Sequence, residues 1–213
     1  MKIAICLTGM HYNNDLNRNV DYTLSLENYK THMISPLTDL GHNVDILLFT
    51  YDTQVLNNLR KDYNTISNEE FILDNSIKYQ DDSWARVLFF YININDIIKK
   101  QENKKKYNYD IIIVTRFDYY FPSKKLTELP IDWTKINLPF KYGPPNNKNC
   151  DHTIIIIPRL NLESFHKSSL ILYQNKRITH EINHHINNEH IHYLFPWYIG
   201  DKYEFFQKKW PLL

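Results

Sequence analysis

Short apolar runs recur along the chain, and each ends at a turn-forming or charged residue. Lys2–Leu7, Val44–Thr50 and Thr153–Ile157 are such runs, and Ile111–Val114 consists only of β-branched residues. Runs of this length that are apolar at most consecutive positions are typical of strands buried on both faces of a sheet. We therefore predict that these four segments are core strands.

Segments with apolar residues at helical spacing separate these runs. Tyr22–Leu40 is one of them, and its Pro36 predicts either an end near Ser35 or a brief continuation. Strands that alternate with helices indicate an α/β fold, with a central, mostly parallel sheet of about six strands flanked by helices. The other predicted helices are Gln54–Tyr63, Trp84–Lys100, Leu160–Tyr173 and a His-rich helix from Thr179, and the other predicted strands are Phe71–Leu73 and Tyr193–Phe195.

The first two strands end in residues suited to binding a ligand. Thr8 and Gly9 follow the first strand, and Tyr51 and Asp52 follow the second. A strand, helix and strand in succession favour parallel neighbours joined by a right-handed crossover, which places both strand ends on one edge of the sheet. An aromatic ring for stacking and a carboxylate for hydroxyl groups suit a base and a ribose at that edge.

The most apolar strand runs directly into a cation and a carboxylate, Arg116 and Asp118. Charges are costly inside a core unless they are paired or bound, and α/β sheets bind ligands in the crevice outside the carboxyl ends of their strands. Arg116 and Asp118 suit a metal-bridged diphosphate, with the carboxylate on the metal and the guanidinium on phosphate oxygens. A simple ion pair at the strand end is the alternative, and spacing alone does not decide between them.

Three further positions are candidates for chemistry. Arg86 lies in the first turn of a predicted helix, where a cation opposes the helix dipole and a bound anion would explain it; an exposed, solvated side chain is the alternative. Asp151 and His152 precede a buried run at the mouth of a loop, or simply form a solvated turn. His180 and His184 have the spacing of a two-ligand metal face, but without a catalytic Glu beside them the pattern favours surface or partly packed histidines.

Composition narrows the classes of function. The 213 residues suit a single domain, and 25 basic against 24 acidic residues argue against nucleic-acid or membrane binding driven by bulk charge. Only four glycines occur, which excludes a Gly-rich phosphate loop. The two cysteines, Cys6 and Cys150, make no disulfide framework, and no apolar run approaches membrane-spanning length. A soluble, cytoplasmic protein without a signal peptide is expected.

Several segments in chain order together resemble one family. The segments are Ile5–Gly9, Val44–Ile46 with Phe49–Asp52, Ser83–Arg86, Tyr109–Asp118, Asp151 and Ile157–Arg159. They are similar to small GT-A-type glycosyltransferases found in polysaccharide loci and large DNA viruses such as the chlorella viruses. The strand end with Arg116 and Asp118 is the most specific part. This chain departs from the family where His11 and Tyr12 replace an Arg after the first Gly, and Arg18 or Arg86 would have to substitute.

The resemblance implies a single GT-A-like domain over residues 1–213, either complete or part of a longer enzyme, in the cytoplasm of a host cell if viral. It implies a UDP-sugar donor, carrying glucose or a deoxy sugar such as rhamnose, and a glycan or glycoprotein acceptor. Asp118, aided by His190 or His192, would bind Mn²⁺ or Mg²⁺, and Asp151 would lie near the acceptor as the general base of an inverting reaction. The donor-binding residues implied are Thr8, Gly9, Tyr51, Asp52, Arg86 and Arg116.

Two other classes of function remain open from sequence. A metal-dependent phosphoesterase or nuclease would use Asp118, Asp151 and the His-rich segment, and it would hydrolyse phosphodiesters without affinity for nucleotide sugars. A non-catalytic nucleotide- or sugar-binding module would bind without turnover, and its function would survive Asp118→Asn.

Overall fold

The computed structural model describes residues 1–15, 18–64, 70–73, 83–117, 119–121, 124–139, 153–177, 179–194 and 207–208. Eleven strands and five α-helices lie within these ranges. The strands are β1 Lys2–Thr8, β2 Tyr12–Asp15, β3 Arg18–Asp21, β4 Asn43–Tyr51, β5 Phe71–Leu73, β6 Ile111–Arg116, β7 Tyr119–Tyr120, β8 Ile136–Leu138, β9 Ile154–Pro158, β10 Ile191–Tyr193 and β11 Gln207–Lys208. The α-helices are α1 Thr23–Tyr29, α2 Ser35–Asp39, α3 Leu56–Tyr63, α4 Ser83–Lys105 and α5 Leu162–Gln174.

Seven strands form the central sheet, in the order β10-β8-β9-β6-β1-β4-β5. Neighbours pair in parallel except for β9, which is antiparallel to both β6 and β8. The α/β class and the mostly parallel sheet flanked by helices are therefore confirmed, with seven strands in place of about six. Two two-stranded ribbons, β2 with β3 and β7 with β11, lie beside it.

Alternate residues of the central strands face two separate cores. On β1, Ala4 and Cys6 face one core, which contains α4 and α5, whereas Ile3, Ile5 and Leu7 face the other, which contains α1, α2 and α3. All five are fully buried. A strand with helices on both sides has no solvent-facing residue, which explains the uninterrupted apolar runs.

The first helical segment continues past Pro36 by changing its hydrogen-bond pattern. Between α1 and α2, Lys30–Ile34 forms a π-helical turn, and the Ser35 N–H donates to the Lys30 carbonyl. Proline has no N–H and crowds the carbonyl four residues earlier, so a wider turn just before Pro36 accommodates its ring without ending the helix. The continuation to near Leu40, one of the two predicted outcomes, is confirmed.

Two of the predicted helices differ from the observed ones in type or in where they begin. The segment from Thr179 is not an α-helix but two 3₁₀ segments, Thr179–His185 and Asn188–His190. The helix predicted to begin at Leu160 begins at Leu162, and the Leu160 side chain is 74% exposed. Cys6 is a buried free thiol, as predicted. In the described part of the chain, no helix is both long and apolar enough to traverse a lipid bilayer.

Candidate functional site

The carboxyl ends of β1 and β6 meet at the point where the order of the sheet reverses. From β1 the chain winds outward to β4 and β5, and α4 then carries it back to β6 on the other side of β1. Thr8 and Arg116, the last residues of β1 and β6, are directly paired in register. Open α/β sheets bind ligands outside the carboxyl ends of strands at such a switch point. We call the space outside these two strand ends the switch-point crevice.

The turn that leaves β1 is hydrogen-bonded to both neighbouring strands. The Thr8 hydroxyl donates to the Thr115 carbonyl at 3.1 Å, and the Gly9 N–H donates to the Phe49 carbonyl at 2.9 Å. Gly9 has φ +94, in a region that side chains strongly disfavour, although a Cβ there would meet no atom within 4 Å. Glycine is thus required by backbone conformation and not by space. The predicted adjacency of the first two strand ends is confirmed.

His11 ties this turn to the end of β4. Thr50 Oγ1 donates to the Gly9 carbonyl at 2.7 Å and lies 2.6 Å from His11 Nδ1. Because the single hydroxyl proton of Thr50 is already used, Nδ1 must carry a proton and donate to Thr50. His11 Nε2 then accepts from the Thr53 hydroxyl at 2.8 Å. These bonds place a proton on Nδ1, so the neutral form of His11 is the Nδ1–H tautomer.

Burial keeps His11 uncharged. Its side chain is fully buried, with ring centroids of Tyr22 and Phe117 at 6.1 and 5.7 Å. Desolvation lowers the pKa of His11 from 6.5 to about 4. At neutral pH His11 therefore adds no positive charge to the crevice, although it stands where the resembling family has an Arg. Sequence reasoning noticed this departure but not the role of His11, which depends on threonines about 40 positions away.

The two predicted nucleoside residues at the end of β4 differ in exposure. Tyr51 is only 6% exposed and packs edge-on against Phe90 of α4, with ring centroids 5.5 Å apart. This burial favours a packing role for Tyr51 over base stacking. Asp52 is exposed, and its N–H donates to the Leu73 carbonyl at 2.8 Å, which fixes the backbone beside the crevice.

Arg116 is half-buried at the end of β6. The Tyr29 hydroxyl of α1 donates to its carbonyl, and the Ser25 hydroxyl donates to the carbonyl of Phe117 at 2.8 Å. These contacts between α1 and the backbone after β6 were not predicted, since a polar residue within an amphipathic helix gives no sign of a partner so distant in sequence.

For three predicted site residues the structure describes only the backbone or neither backbone nor side chain. Asp118 and Asp151 lie outside the described residues. The backbone of Arg86 belongs to the first turn of α4. Phe90, one turn further along α4, contacts Tyr51 at the end of β4, so this helix begins on the crevice side of the sheet.

The register separates His190 from the switch-point crevice. His190 immediately precedes β10, which runs parallel to β8 and therefore to β6. Its position is at the amino edge of the sheet, whereas Arg116 ends β6 at the carboxyl edge, about 15 Å further along the strand direction. A metal ligand must lie within about 2–2.6 Å of the ion, so this arrangement does not support His190 as a ligand shared with the strand end. His192 Nε2 lies 2.8 Å from the Pro130 carbonyl oxygen.

Metal binding would depend mainly on a single predicted carboxylate. Within the described ranges, no three His, Cys, Asp or Glu side chains converge as a metal site. Mg²⁺ and similar ions in phosphate-binding sites commonly use one or two carboxylates together with substrate phosphate oxygens and water. A hard divalent ion held by Asp118 and a diphosphate fits that donor set without a preformed protein cage.

The opposite edge of the sheet carries a groove and a buried ion pair. The groove is lined by residues that include Tyr109, Asp110, Trp133 and Arg159. Two nitrogens of Arg159 are already engaged, because its Nε and Nη2 donate to the two carboxylate oxygens of Glu102 at 2.7 and 2.9 Å. The Arg159 of the family-like segment therefore stabilises α4 against β9 and does not belong to the crevice.

Comparisons with known proteins give weak likenesses. No protein-family model and no curated protein matches the chain. A glycosyltransferase involved in glycosylation of the major capsid of PBCV-1 is similar with a TM-score of 0.37 and 12% identity over 82% of this chain. A mutant Drosophila β1,4-galactosyltransferase 7 in complex with manganese, UDP-Gal and xylobiose gives 0.36, with 12% identity over 77%. A nucleoside-diphosphate-sugar pyrophosphorylase from Vibrio cholerae RC9 gives 0.49, with 10% identity over 90% of both chains.

The chain spans 66% and 51% of the lengths of the first two proteins. All three TM-scores lie below 0.5. A functional assignment must therefore come from the residues of this chain.

Proposed function

We propose that this chain is a metal-assisted glycosyltransferase that moves a hexose from a UDP-sugar to a glycan or glycoprotein. The observation that carries the proposal is the register of Thr8 with Arg116 at the switch point of the sheet. This pairing brings the ends of two family-like strands, at Thr8 and Arg116, to one crevice. Their resemblance to GT-A-type glycosyltransferases supports sugar transfer over other uses of such a crevice.

The donor would lie with its diphosphate over the ends of β1 and β6. Arg116 would face the phosphate oxygens, since a guanidinium offers several fixed donors to them. Arg86, at the start of α4 on the same edge, would supply a second cation. Asp52 would accept from ribose hydroxyls, and the turn at Gly9 would allow the nucleotide to approach the backbone closely.

The reaction needs the leaving diphosphate to be neutralised while the acceptor is activated. A bound Mn²⁺ or Mg²⁺, held by Asp118, would neutralise the diphosphate as the glycosidic bond breaks. Asp151 is proposed to take the proton from the acceptor hydroxyl if the reaction inverts. His11, uncharged and fully hydrogen-bonded, would hold the Gly9 turn rigid without contributing charge.

The phosphoesterase alternative receives less support. It requires the His-rich segment to work beside Asp118 and Asp151, but His190 lies at the amino edge of the sheet and away from Arg116. The nucleotide-binding module remains distinct from the transferase only in lacking turnover, so an assay of activity separates them.

The proposal is tested by following UDP release from UDP-glucose and UDP-rhamnose, with Mn²⁺ or with EDTA. Release that depends on Mn²⁺ is expected, and Arg116→Gln should lower kcat/KM by about 100-fold, the cost of removing one charge-stabilising donor. Arg177→Gln is the matched control. Arg177 is exposed, lies far from Arg116 in sequence, and pairs with Glu181 four residues later. Hydrolysis of a phosphodiester such as bis-p-nitrophenyl phosphate, without turnover of any UDP-sugar, would contradict the proposal.

A further inference from the structure

Three polar side chains of α1 lie on one face of the helix and contact the backbone that follows β6. Ser25, Asn28 and Tyr29 have the spacing of neighbours on a helix surface. Their hydrogen-bond partners lie 87 to 93 positions away in sequence. We call these three side chains the α1 clamp.

The first two contacts hold the chain as it leaves β6. The Tyr29 hydroxyl donates to the Arg116 carbonyl. The Ser25 hydroxyl lies 2.8 Å from the Phe117 carbonyl and 3.0 Å from the Tyr22 carbonyl of its own helix, so one proton is shared between two acceptors. Ser25 and Tyr29 are buried, and bonds of this kind are costly to lose because water does not replace them.

The third contact holds the chain further on. Asn28 Nδ2 donates to the Phe121 carbonyl at 2.5 Å, and the Phe121 N–H donates to Asn28 Oδ1 at 2.7 Å. The side-chain amide thus pairs with both backbone groups of one residue, as a neighbouring strand would. The Phe121 ring is buried and packs against the rings of Tyr29 and His32, at centroid distances of 6.1 and 6.4 Å.

These contacts lie on both sides of position 118 in the chain. Phe117 is the residue before it and Phe121 is three residues after it. We infer that the α1 clamp consists of positioning residues for the proposed donor site: Ser25, Asn28 and Tyr29 fix the backbone at the end of β6, from which Arg116 acts. The inference rests on the proposed function for its ligand, but the anchoring itself can be measured in the free protein.

The Ser25 contact is tested with a matched pair of variants. Ser25→Ala removes the bond to Phe117, whereas Ser169→Ala removes another buried serine, whose hydroxyl donates to the Phe165 carbonyl of its own helix at 2.9 Å. Loss of a group that holds a binding residue in place is expected to be of similar size to the loss of an outer-shell partner of a metal ligand, which changes affinity by about 10- to 100-fold. Ser25→Ala should weaken Mn²⁺-dependent UDP binding by at least about tenfold on this basis, and Ser169→Ala by less than about twofold.

The Asn28 contact has a control of the same kind. Asn93 Nδ2 donates to the Phe89 carbonyl at 2.7 Å within α4. Asn93→Ala therefore loses a comparable bond that does not involve the chain after β6. Asn28→Ala should weaken Mn²⁺-dependent UDP binding and speed amide exchange at Phe121, and Asn93→Ala should do neither. Asn28→Asp keeps the acceptor for the Phe121 N–H and should restore part of the slow exchange.

The two measurements, UDP binding and amide exchange at Phe121, separate this inference from the proposed function. If the wild type shows no Mn²⁺-dependent UDP binding, the proposed function fails, and faster exchange at Phe121 only in Asn28→Ala still supports the anchoring. If the wild type binds but Ser25→Ala and Asn28→Ala bind as their controls do, the clamp does not position the site. Unchanged exchange at Phe121 in a folded Asn28→Ala would overturn the inference outright.

Discussion

The neutral state of His11 predicts a specific loss of stability in acid. Burial lowers its pKa from 6.5 to about 4, so between these values the unfolded chain takes up a proton that the folded chain does not. Stability therefore rises with pH across this window and falls as the pH drops from 6.5 toward 4. At about 1.36 kcal/mol per pKa unit the full effect is about 3 kcal/mol, of which about 2 kcal/mol should be present at pH 4.5.

The perturbation that isolates this effect is His11→Gln. Glutamine cannot titrate, and it retains an amide that can bond to one of the two threonines. At pH 7 the variant should be less stable than the wild type by about 1–2 kcal/mol, because one hydrogen bond and some packing are lost. At pH 4.5 this difference should shrink by about 2 kcal/mol, since only the wild type is destabilised by protonation of His11.

The assay is urea unfolding at several pH values between 7 and 4.5. The other nine histidines are present in both proteins and cancel in the difference. Ile98→Val, which removes one methyl group from a fully buried residue of α4, is the control, and its cost of about 1 kcal/mol should not change with pH. A constant difference between wild type and His11→Gln across the range would refute the assignment of a neutral, buried His11.

Three further stability predictions concern the turn after β1 and the amino edge of the sheet. Gly9→Ala should cost about 1–2 kcal/mol in thermal unfolding through backbone strain alone, since φ is +94 and no atom lies near the added Cβ; a neutral effect would contradict this. Glu102→Gln should cost about 2 kcal/mol in urea unfolding, because Glu102 is buried and Arg159 is partly exposed, and Arg159→Lys should be similarly destabilised. Asp45→Asn should be destabilising at neutral pH but less so in acid. Burial raises the pKa of Asp45, but hydrogen bonds from one lysine and two tyrosines outweigh burial and lower the pKa overall. The wild type therefore loses this stabilisation as the pH falls. An acid-independent cost in unfolding experiments would argue against that account.

The strands and the edge that carries the site could be predicted because their signals are local. Ile111–Val114 is apolar throughout, since both faces of β6 are buried. The parallel pairing of β1 with β4 follows from the intervening helix, and it brings Gly9 beside Thr50. The start of α4 at Ser83 agrees within one residue with the predicted helix Trp84–Lys100, although the helix continues to Lys105.

The surroundings of several other residues could not be predicted, because they depend on short elements or on contacts distant in sequence. β8 has only three residues, and no strand was predicted there from sequence, yet β10 pairs with it, and this pairing decides where His190 lies. The burial of Tyr51 involves packing against Phe90, almost 40 positions later. Nothing near His11 or Asn28 in sequence indicates that their partners are Thr53 and Phe121.

The central claim is that metal and UDP bind together in the switch-point crevice. Calorimetric titration with UDP and UDP-glucose, with and without Mn²⁺, tests it most directly on the wild type and Asp118→Asn. The account predicts binding that requires Mn²⁺ and is lost in Asp118→Asn, while the variant unfolds at the same temperature as the wild type. Absence of binding in the wild type under every condition, or equal binding by Asp118→Asn, would contradict it.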